Sequence, residues 1–303
     1  MLVYLRLLRP AEWVKNTFVF APLAFGARIL DPQAVRLSLI AFGSFCLASS
    51  AGYVLNDIFD RHRDRLHPMK KNRPIASGAV GLSEAGLVIT LLVVVNAALC
   101  YALLPRSFWW TVAAYLALTL IYSLALKYRM ILDVIVIAML FVLRALGGAY
   151  AIEVPVSPWL LVCTFMLCMF LGFGKRRCEI AMIGNTHAIR GHRPTLVRYT
   201  PDLLTHLLST SGGIAIITFV LYTLDRSWKS PFETSKQNLI YTLPLVVYGI
   251  YRYAMLIELG KATGPTDLII KDRPFLIAIL LWVIAAALIL SGNLPLGGLP
   301  TVG

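Results

Sequence analysis

Charge is scarce in this sequence, and acidic charge is scarcer still. Of 303 residues 14% are charged, and 15 Asp and Glu stand against 28 Lys and Arg. Soluble domains carry about a quarter charged residues. No long hydrophilic stretch and no low-complexity linker breaks the chain. With 58% hydrophobic residues and a mean hydropathy of +0.75, the apolar surface exceeds what one water-facing fold can hide, so lipid must solvate most of it. Cysteine is also sparse. Cys46, Cys100, Cys163, Cys168 and Cys178 form no CxxC pair, which excludes a disulfide framework and a zinc site and leaves them as small core residues. No P-loop and no Ser-His-Asp arrangement is present. Without a soluble basic domain, nucleic acid is excluded as a partner.

What is present is a series of apolar runs. A membrane-crossing helix needs about 20 apolar residues. That window predicts an all-α, polytopic helix bundle of about nine transmembrane helices. Their limits are 16–30, 34–57, 84–104, 108–126, 131–152, 157–174, 206–224, 239–258 and 274–291. Pro22 and Gly26 interrupt the first. The chain reads as one integral membrane domain over 1–303. No cleavable signal peptide is evident, and MLVYLRLLRPAEWVKN reads as an interfacial amphipathic segment anchored by Trp13.

The basic residues alternate between the two sides. One side collects Arg6, Arg9 and Lys15, then Arg61, Arg63, Arg65, Lys70, Lys71 and Arg73. It goes on with Lys127 and Arg129, then Lys175, Arg176, Arg177, Arg190, Arg193 and Arg198, and finally Arg252, Lys261, Lys271 and Arg273. The other side has Arg28, Arg36, Arg106, Arg226, Lys229 and Lys236. The positive-inside rule then gives a cytoplasmic N-terminus in a cell (inner) membrane and an external C-terminus. Every chemically interesting loop falls on the cytoplasmic side. The surplus of cations also suits an anionic substrate.

The carboxylates are concentrated where the second span leaves the membrane, in NDIFDRHRDRLHPMKKNRP. Asn56, Asp60 and Asp64 follow at i, i+4 and i+8, and Asp57 precedes Asp60 by three, so a helix puts all four on one face. Like charges at that spacing repel. A divalent cation removes the conflict, and Mg²⁺ is held by one or two carboxylates plus substrate phosphates. Lys70 and Arg73 follow as cations for phosphate oxygens. The plain alternative is a solvated helix end, with Asp57 and Asp60 paired to Arg61, Arg63 and Arg65. Tyr53, one turn before Asn56 and Asp57, can reach the same ligand. His62 and His67 flank the cluster but read as loop residues, since magnesium prefers oxygen. His187, His192 and His206 have no metal-ligand spacing.

The pattern NDxxDxxxD followed by KxxRP, on the second of nine spans, resembles the UbiA superfamily of intramembrane prenyltransferases. The fit is closer to the branch that uses polyprenyl phosphates as phosphoribosyl acceptors. That likeness rests on LRPAEWVKNTFVFAPL, NDIFDRHRDRLHPMKKNRPIASG, YSLALKYRMILDVIVIAMLFVLRALGGA and FGKRRCEI. One departure matters. Superfamily prenyltransferases carry a second Asp-rich motif after the sixth span. Here GKRRCEIAMIGNTHAIRGHRP has Glu179 and no Asp, with Lys175, Arg176 and Arg177 in its place. That disfavours an isoprenyl diphosphate donor joined to an aromatic acceptor. It suits a substrate with an extra phosphate, such as phosphoribosyl diphosphate (PRPP), or an anionic lipid head.

The resemblance implies Mg²⁺-assisted transfer of 5-phosphoribosyl from PRPP to a polyprenyl phosphate such as decaprenyl phosphate, supplying a lipid-linked pentose for cell-envelope polysaccharide. Asp57, Asp60 and Asp64 would be catalytic, with Asn56 a fourth metal ligand. Lys15, Tyr53, Asn56, Lys70, Arg73, Lys175, Arg176 and Arg177 would bind PRPP. The lipid phosphate is expected on Lys127, Arg144 and Tyr122, because a charge in mid-span, as Arg144 is, costs about 2.5–3.5 kcal/mol. The plain alternatives are a facing carboxylate for Arg144 and snorkelling for Lys15. A lipid-phosphate transporter is the other class considered, disfavoured by the lack of paired broken helices. The sequence chooses no oligomeric state, and a homo-oligomer such as a trimer is compatible with it.

Overall fold

The computed structural model describes residues 2–26, 28–66, 70–183, 199–225, 233–260 and 272–291. The described residues are helical, with short turns and no strand. The chain falls into two compact units. The first comprises 1–23, 29–155 and 187–197, and the second 24–28, 156–186 and 198–303.

The first unit opens with α1 (Leu2–Leu8) and a 3-10 segment, Pro10–Phe20. Then come α3 (Pro32–Leu66), α4 (Leu82–Leu103), α5 (Arg106–Leu124) and α6 (Leu132–Ala151). Between the first two pieces Arg9 stands alone in the left-handed region, at φ 54° and ψ 59°. Among the described residues eight helices are long and apolar enough to cross a membrane. Residues 16–30 are not among them. Pro10–Phe20 is 3-10, α2 (Ala21–Phe25) is one short turn of α-helix, and a turn follows at Gly26. Pro22 and Gly26 account for the break.

α3 organises the first unit. Its 35 residues reach about 52 Å at 1.5 Å per residue, well beyond the ~30 Å hydrocarbon core. Its last turns therefore project out of the apolar layer, and they carry Asn56 to Asp64. The helix is central because its inward side is small: Ala41, Ser44, Ala48, Ser49, Ala51 and Gly52 are buried. Small residues let membrane helices approach closely. In its most apolar window 61% of α3 is buried, against 11% for α4, which faces lipid. The 3-10 segment lies against α6 so closely that a Cβ on Gly148 would meet the Val19 carbonyl oxygen at 1.9 Å. Phe45 of α3 packs edge-on against Phe108 and Tyr115 of α5, with centroids 5.7 and 5.3 Å apart.

The second unit contains the last two residues of α2, then α7 (Pro158–Ile183), α8 (Pro201–Leu224), α9 (Glu233–Asn238), a 3-10 turn Leu239–Thr242, α10 (Leu243–Glu258) and α11 (Arg273–Leu290). α8 starts at a Thr200 cap whose hydroxyl accepts from the Leu203 N–H at 3.2 Å, with Pro201 in the first turn. α11 starts at Asp272, which accepts from the Phe275 N–H at 2.8 Å. Asp272 also receives both arms of the Arg252 guanidinium, at 3.1 and 2.9 Å. Phe219, Tyr222, Leu239, Ala286, Ile289 and Leu290 form the apolar core, with Phe25 of α2 against it.

Candidate active site

The four polar residues at the end of α3 divide into two stripes. Asp57 and Asp64, seven residues apart, lie ~20° from each other around the helix, and Asn56 and Asp60 lie ~40° apart. Each stripe meets its own cations. Arg73 Nη1 bridges Asp57 Oδ1 at 3.1 Å and Asp64 Oδ2 at 2.7 Å. Arg9 Nη2 donates to the same Asp57 oxygen at 2.5 Å. Lys127 Nζ donates to Asp60 Oδ1 at 2.7 Å and to Asn56 Oδ1 at 3.1 Å, and Asn56 Nδ2 donates to Asp60 Oδ2 at 3.0 Å.

Three carboxylates are thus matched by three cations brought from three distant segments. The like-charge repulsion expected of the helix is relieved by the fold itself. The neighbouring arginines take no part in these pairs. Arg63 stacks on the Tyr128 ring at 4.7 Å, Arg65 Nε donates to the Ala76 carbonyl at 3.0 Å, and Arg61 Nε donates to His62 Nε2 at 3.1 Å. The solvated-helix-end pairing is therefore not the one adopted.

The cluster is open to ligands at its edges. Asp57 and Asp64 are buried, while the side chains of Asp60, Arg9 and Arg73 remain 20%, 22% and 25% exposed. Asp57 Oδ2 is buried with no hydrogen-bond partner. An unpaired buried carboxylate oxygen is costly and is a ready acceptor for a cation. Among the described residues no group of three or more His, Cys, Asp or Glu converges as a closed metal cage. An open magnesium site needs less, because substrate phosphates and water supply the remaining oxygens. The all-oxygen donor set Asn56, Asp57, Asp60 and Asp64 fits that ion.

Other expected site residues sit elsewhere. Tyr53 is half-buried beneath the Arg9 guanidinium, 5.4 Å from ring centroid to Cζ. Lys15 is half-exposed and paired with Glu12. Lys70 opens the short 3-10 turn Lys70–Asn72, and its carbonyl accepts from the Arg73 N–H at 3.0 Å. Lys127 and Arg144, both assigned to a lipid phosphate, belong to separate networks. Lys127 is in the carboxylate cluster. Arg144, 4% exposed, donates from Nε to Asn16 Oδ1 at 2.7 Å, from Nη2 to the Tyr115 hydroxyl at 2.7 Å, and from Nη1 to the Leu140 carbonyl at 2.9 Å. No carboxylate faces it among these partners. Asn16 in turn donates to Ser49 Oγ at 3.2 Å. This knot ties the 3-10 segment to α3, α5 and α6. Tyr122 is half-buried on α5 and stands in neither network.

In the second unit Lys175 is exposed at the end of α7. Arg176 is buried and pairs with Glu179 at 2.8 Å. Arg177 pairs with Glu258 at 3.1 Å, and Thr205 also donates to Glu258, at 2.9 Å. His62 and His206 are exposed, whereas His67, His187 and His192 lie outside the described residues. None of the five cysteines forms a disulfide.

The sequence argument overlooked Arg9, which it counted only toward topology, and it overlooked Asn16 and Tyr115 as the partners of Arg144. A signal for Arg9 existed in the charge surplus at the N-terminus, but nothing local pointed it at Asp57, 48 residues away.

With this geometry in place, comparison with known proteins is informative. A sequence profile of the UbiA prenyltransferase family matches residues 17–270. The chain belongs to this family. It is a multi-pass membrane transferase. Among its relatives is a protein named decaprenyl-phosphate phosphoribosyltransferase from Mycolicibacterium smegmatis, 30% identical over 95% of this chain and 92% of its own length. A protein of the same name from Mycobacterium tuberculosis is 31% identical over 91% of this chain and 90% of its own. A UbiA homologue from Archaeoglobus fulgidus, solved bound to DMAPP and Mg²⁺, shares the fold with a TM-score of 0.69 at 20% identity. It covers 95% of this chain and 99% of that one.

Proposed function

We propose that this UbiA-family transferase moves 5-phosphoribosyl from PRPP to a polyprenyl phosphate, decaprenyl phosphate among them, and releases diphosphate. The observation that carries this reading is the confinement of the carboxylates to one helix end. Asp57, Asp60 and Asp64 of α3 lie among Arg9, Arg73 and Lys127, and Lys175, Arg176 and Arg177 within α7 stand where a second Asp set would be expected. One carboxylate cluster handles one diphosphate, and a polar ribosyl donor fits a site at the membrane boundary. The names of the relatives that align over nine-tenths of the chain agree. The family match runs through both units, which supports a single transferase domain.

Asn56, Asp57, Asp60 and Asp64 would hold Mg²⁺, which supplies charge neutralisation for the departing diphosphate. Arg73 and Lys127 are positioned to exchange their carboxylate partners for phosphate oxygens when the donor binds. Charge-assisted hydrogen bonds of this kind are worth about 1.5–3 kcal/mol each. Tyr53 lies against Arg9 and offers its ring to the ribose. Lys15 and Lys70 are assigned to the donor's remaining phosphate. The nucleophile is a lipid phosphate oxygen, already anionic at neutral pH, so no side chain has to remove a proton. Catalysis then rests on positioning and electrostatic stabilisation. The distribution of Lys and Arg supports an inner-membrane protein with α1 and these loops in the cytoplasm.

The test supplies purified protein with polyprenyl phosphate and PRPP, or with an isoprenyl diphosphate and 4-hydroxybenzoate, and follows diphosphate release in Mg²⁺ and in EDTA. Release with the first pair alone, abolished by EDTA, is the expected result. Release with the second pair alone would overturn the reading.

A further inference from the structure

We propose that Arg9 is a diphosphate-binding residue of the donor site, presented by a strained turn in the N-terminal arm. The inference rests on the functional reading only in taking the ligand to be a magnesium–diphosphate, whichever group that diphosphate carries.

Three observations converge on Arg9. Its backbone is left-handed at φ 54°, immediately before Pro10. A non-glycine residue is uncommon there, and a following proline favours extended backbone. Such strain persists only where the surroundings enforce it, and it concentrates at ligand clamps. The enforcement is visible on both flanks. Leu7 is fully buried with Val54, Ile75, Val80 and Ala85. On the other side Ser50 Oγ donates to the Leu8 carbonyl and accepts from Trp13 Nε1, each at 3.0 Å. The arm is therefore pinned to α3 before and after Arg9, and the turn between the pins aims one side chain.

That side chain points at the site. Its Nη2 meets Asp57 Oδ1, the oxygen that Arg73 also reaches, while Asp57 Oδ2 stays without a partner. Two guanidiniums crowd one carboxylate oxygen. A purely structural tie would use both oxygens, in the bidentate fork that Arg252 forms with Asp272. A second anion between Arg9 and Arg73 relieves the crowding, and a diphosphate has the oxygens to serve both. Access exists, since the Arg9 and Arg73 side chains are 22% and 25% exposed.

Calorimetric titration of the full-length, detergent-purified chain with pyrophosphate in Mg²⁺ tests this, with R9Q, R9K and R9G beside wild type. Glycine adopts φ near +54° without strain, so R9G removes the cation while relaxing the turn. R9Q and R9G are expected to bind magnesium pyrophosphate about ten-fold more weakly or worse, the loss of one charge-assisted hydrogen bond. R9K should retain most of the affinity, and R9G should melt no lower than wild type. Wild-type affinity in R9G would overturn the proposal. So would an affinity loss that R9K fails to restore and that accompanies a lower Tm, since Arg9 would then be a structural tie. A wild type that binds magnesium pyrophosphate but rejects PRPP defeats the functional reading and leaves Arg9 in place. A wild type that binds no pyrophosphate overturns both.

Discussion

Arg144 and Asp57 are both buried ionisable residues of the first unit, 4% and 2% exposed, yet they are surrounded differently. Arg144 is closed in by neutral partners, namely Asn16, Tyr115 and the Leu140 carbonyl, and Asn16 is itself fully buried. Asp57 belongs to an ionic cluster whose outer members reach solvent and whose own second oxygen is unpartnered. A charge inside a membrane protein is expensive in either place. What separates a structural charge from a working one is whether its hydrogen-bonding capacity is spent within the fold or left for a ligand. By that measure the Arg144 knot holds the 3-10 segment in place, and the Asp57–Asp60–Asp64 cluster is the one left open to a ligand.

The sharpest way to break this contrast is to neutralise the open cluster. Asp60→Asn should lower turnover by about a thousand-fold, in the range of losing a principal electrostatic contact, while expression and Tm stay near wild type. Steady-state kinetics on the purified variant decide it, and wild-type turnover would remove Asp60 from the site. Next in size is Lys127→Gln. It should reduce kcat/KM for the donor by about ten- to hundred-fold, the worth of one charge-assisted contact, with the KM for polyprenyl phosphate unchanged. A rise confined to the lipid KM would return Lys127 to the lipid phosphate.

The closed knot should answer with stability instead. Arg144→Gln leaves Tyr115 and Asn16 short of a donor, which costs about 1–3 kcal/mol. A falling Tm with near-normal lipid KM in the folded protein is the expected outcome. A normal Tm with a raised lipid KM would make Arg144 a substrate contact after all. The smallest effect belongs to the second unit. Glu258→Gln breaks an ion pair with Arg177 that is 40% exposed on the acid side. Such pairs are worth about 0–1 kcal/mol, so thermal melting should barely move.

The same comparison shows where sequence reasoning reached and where it stopped. Seven of the helical spans could be read as apolar runs of about 20 residues, because lipid imposes that length locally. So could the start of α3, whose continuation through Asn56 to Leu66 was marked by the i, i+4, i+8 spacing rather than by hydropathy. The first stretch runs through the 3-10 segment and α2 to a turn at Gly26, and its interruption by Pro22 and Gly26 was legible in the sequence. Arg176 with Glu179 is a local pair, three residues apart, and such spacing is visible in a sequence. Lys127 with Asp60, Arg9 with Asp57 and Arg144 with Asn16 are 67, 48 and 128 residues apart. Only the packing of the 3-10 segment, α5 and α6 around α3 decides them. The carboxylates and Arg73, nine residues past Asp64, could therefore be read in advance, and the pairing of Arg9 with Asp57 and of Lys127 with Asp60 could not.

The central claim is that diphosphate leaves a soluble sugar donor and the lipid phosphate accepts the phosphoribosyl group. PRPP labelled in the ribosyl 5-phosphate and, separately, in the β-phosphate of the diphosphate tests that most directly, with polyprenyl phosphate and Mg²⁺ present. The account predicts that the first label partitions into the organic phase with the lipid and that the second stays in water as diphosphate. A lipid phase free of the ribosyl label, with product formed only when an isoprenyl diphosphate is supplied, would contradict it.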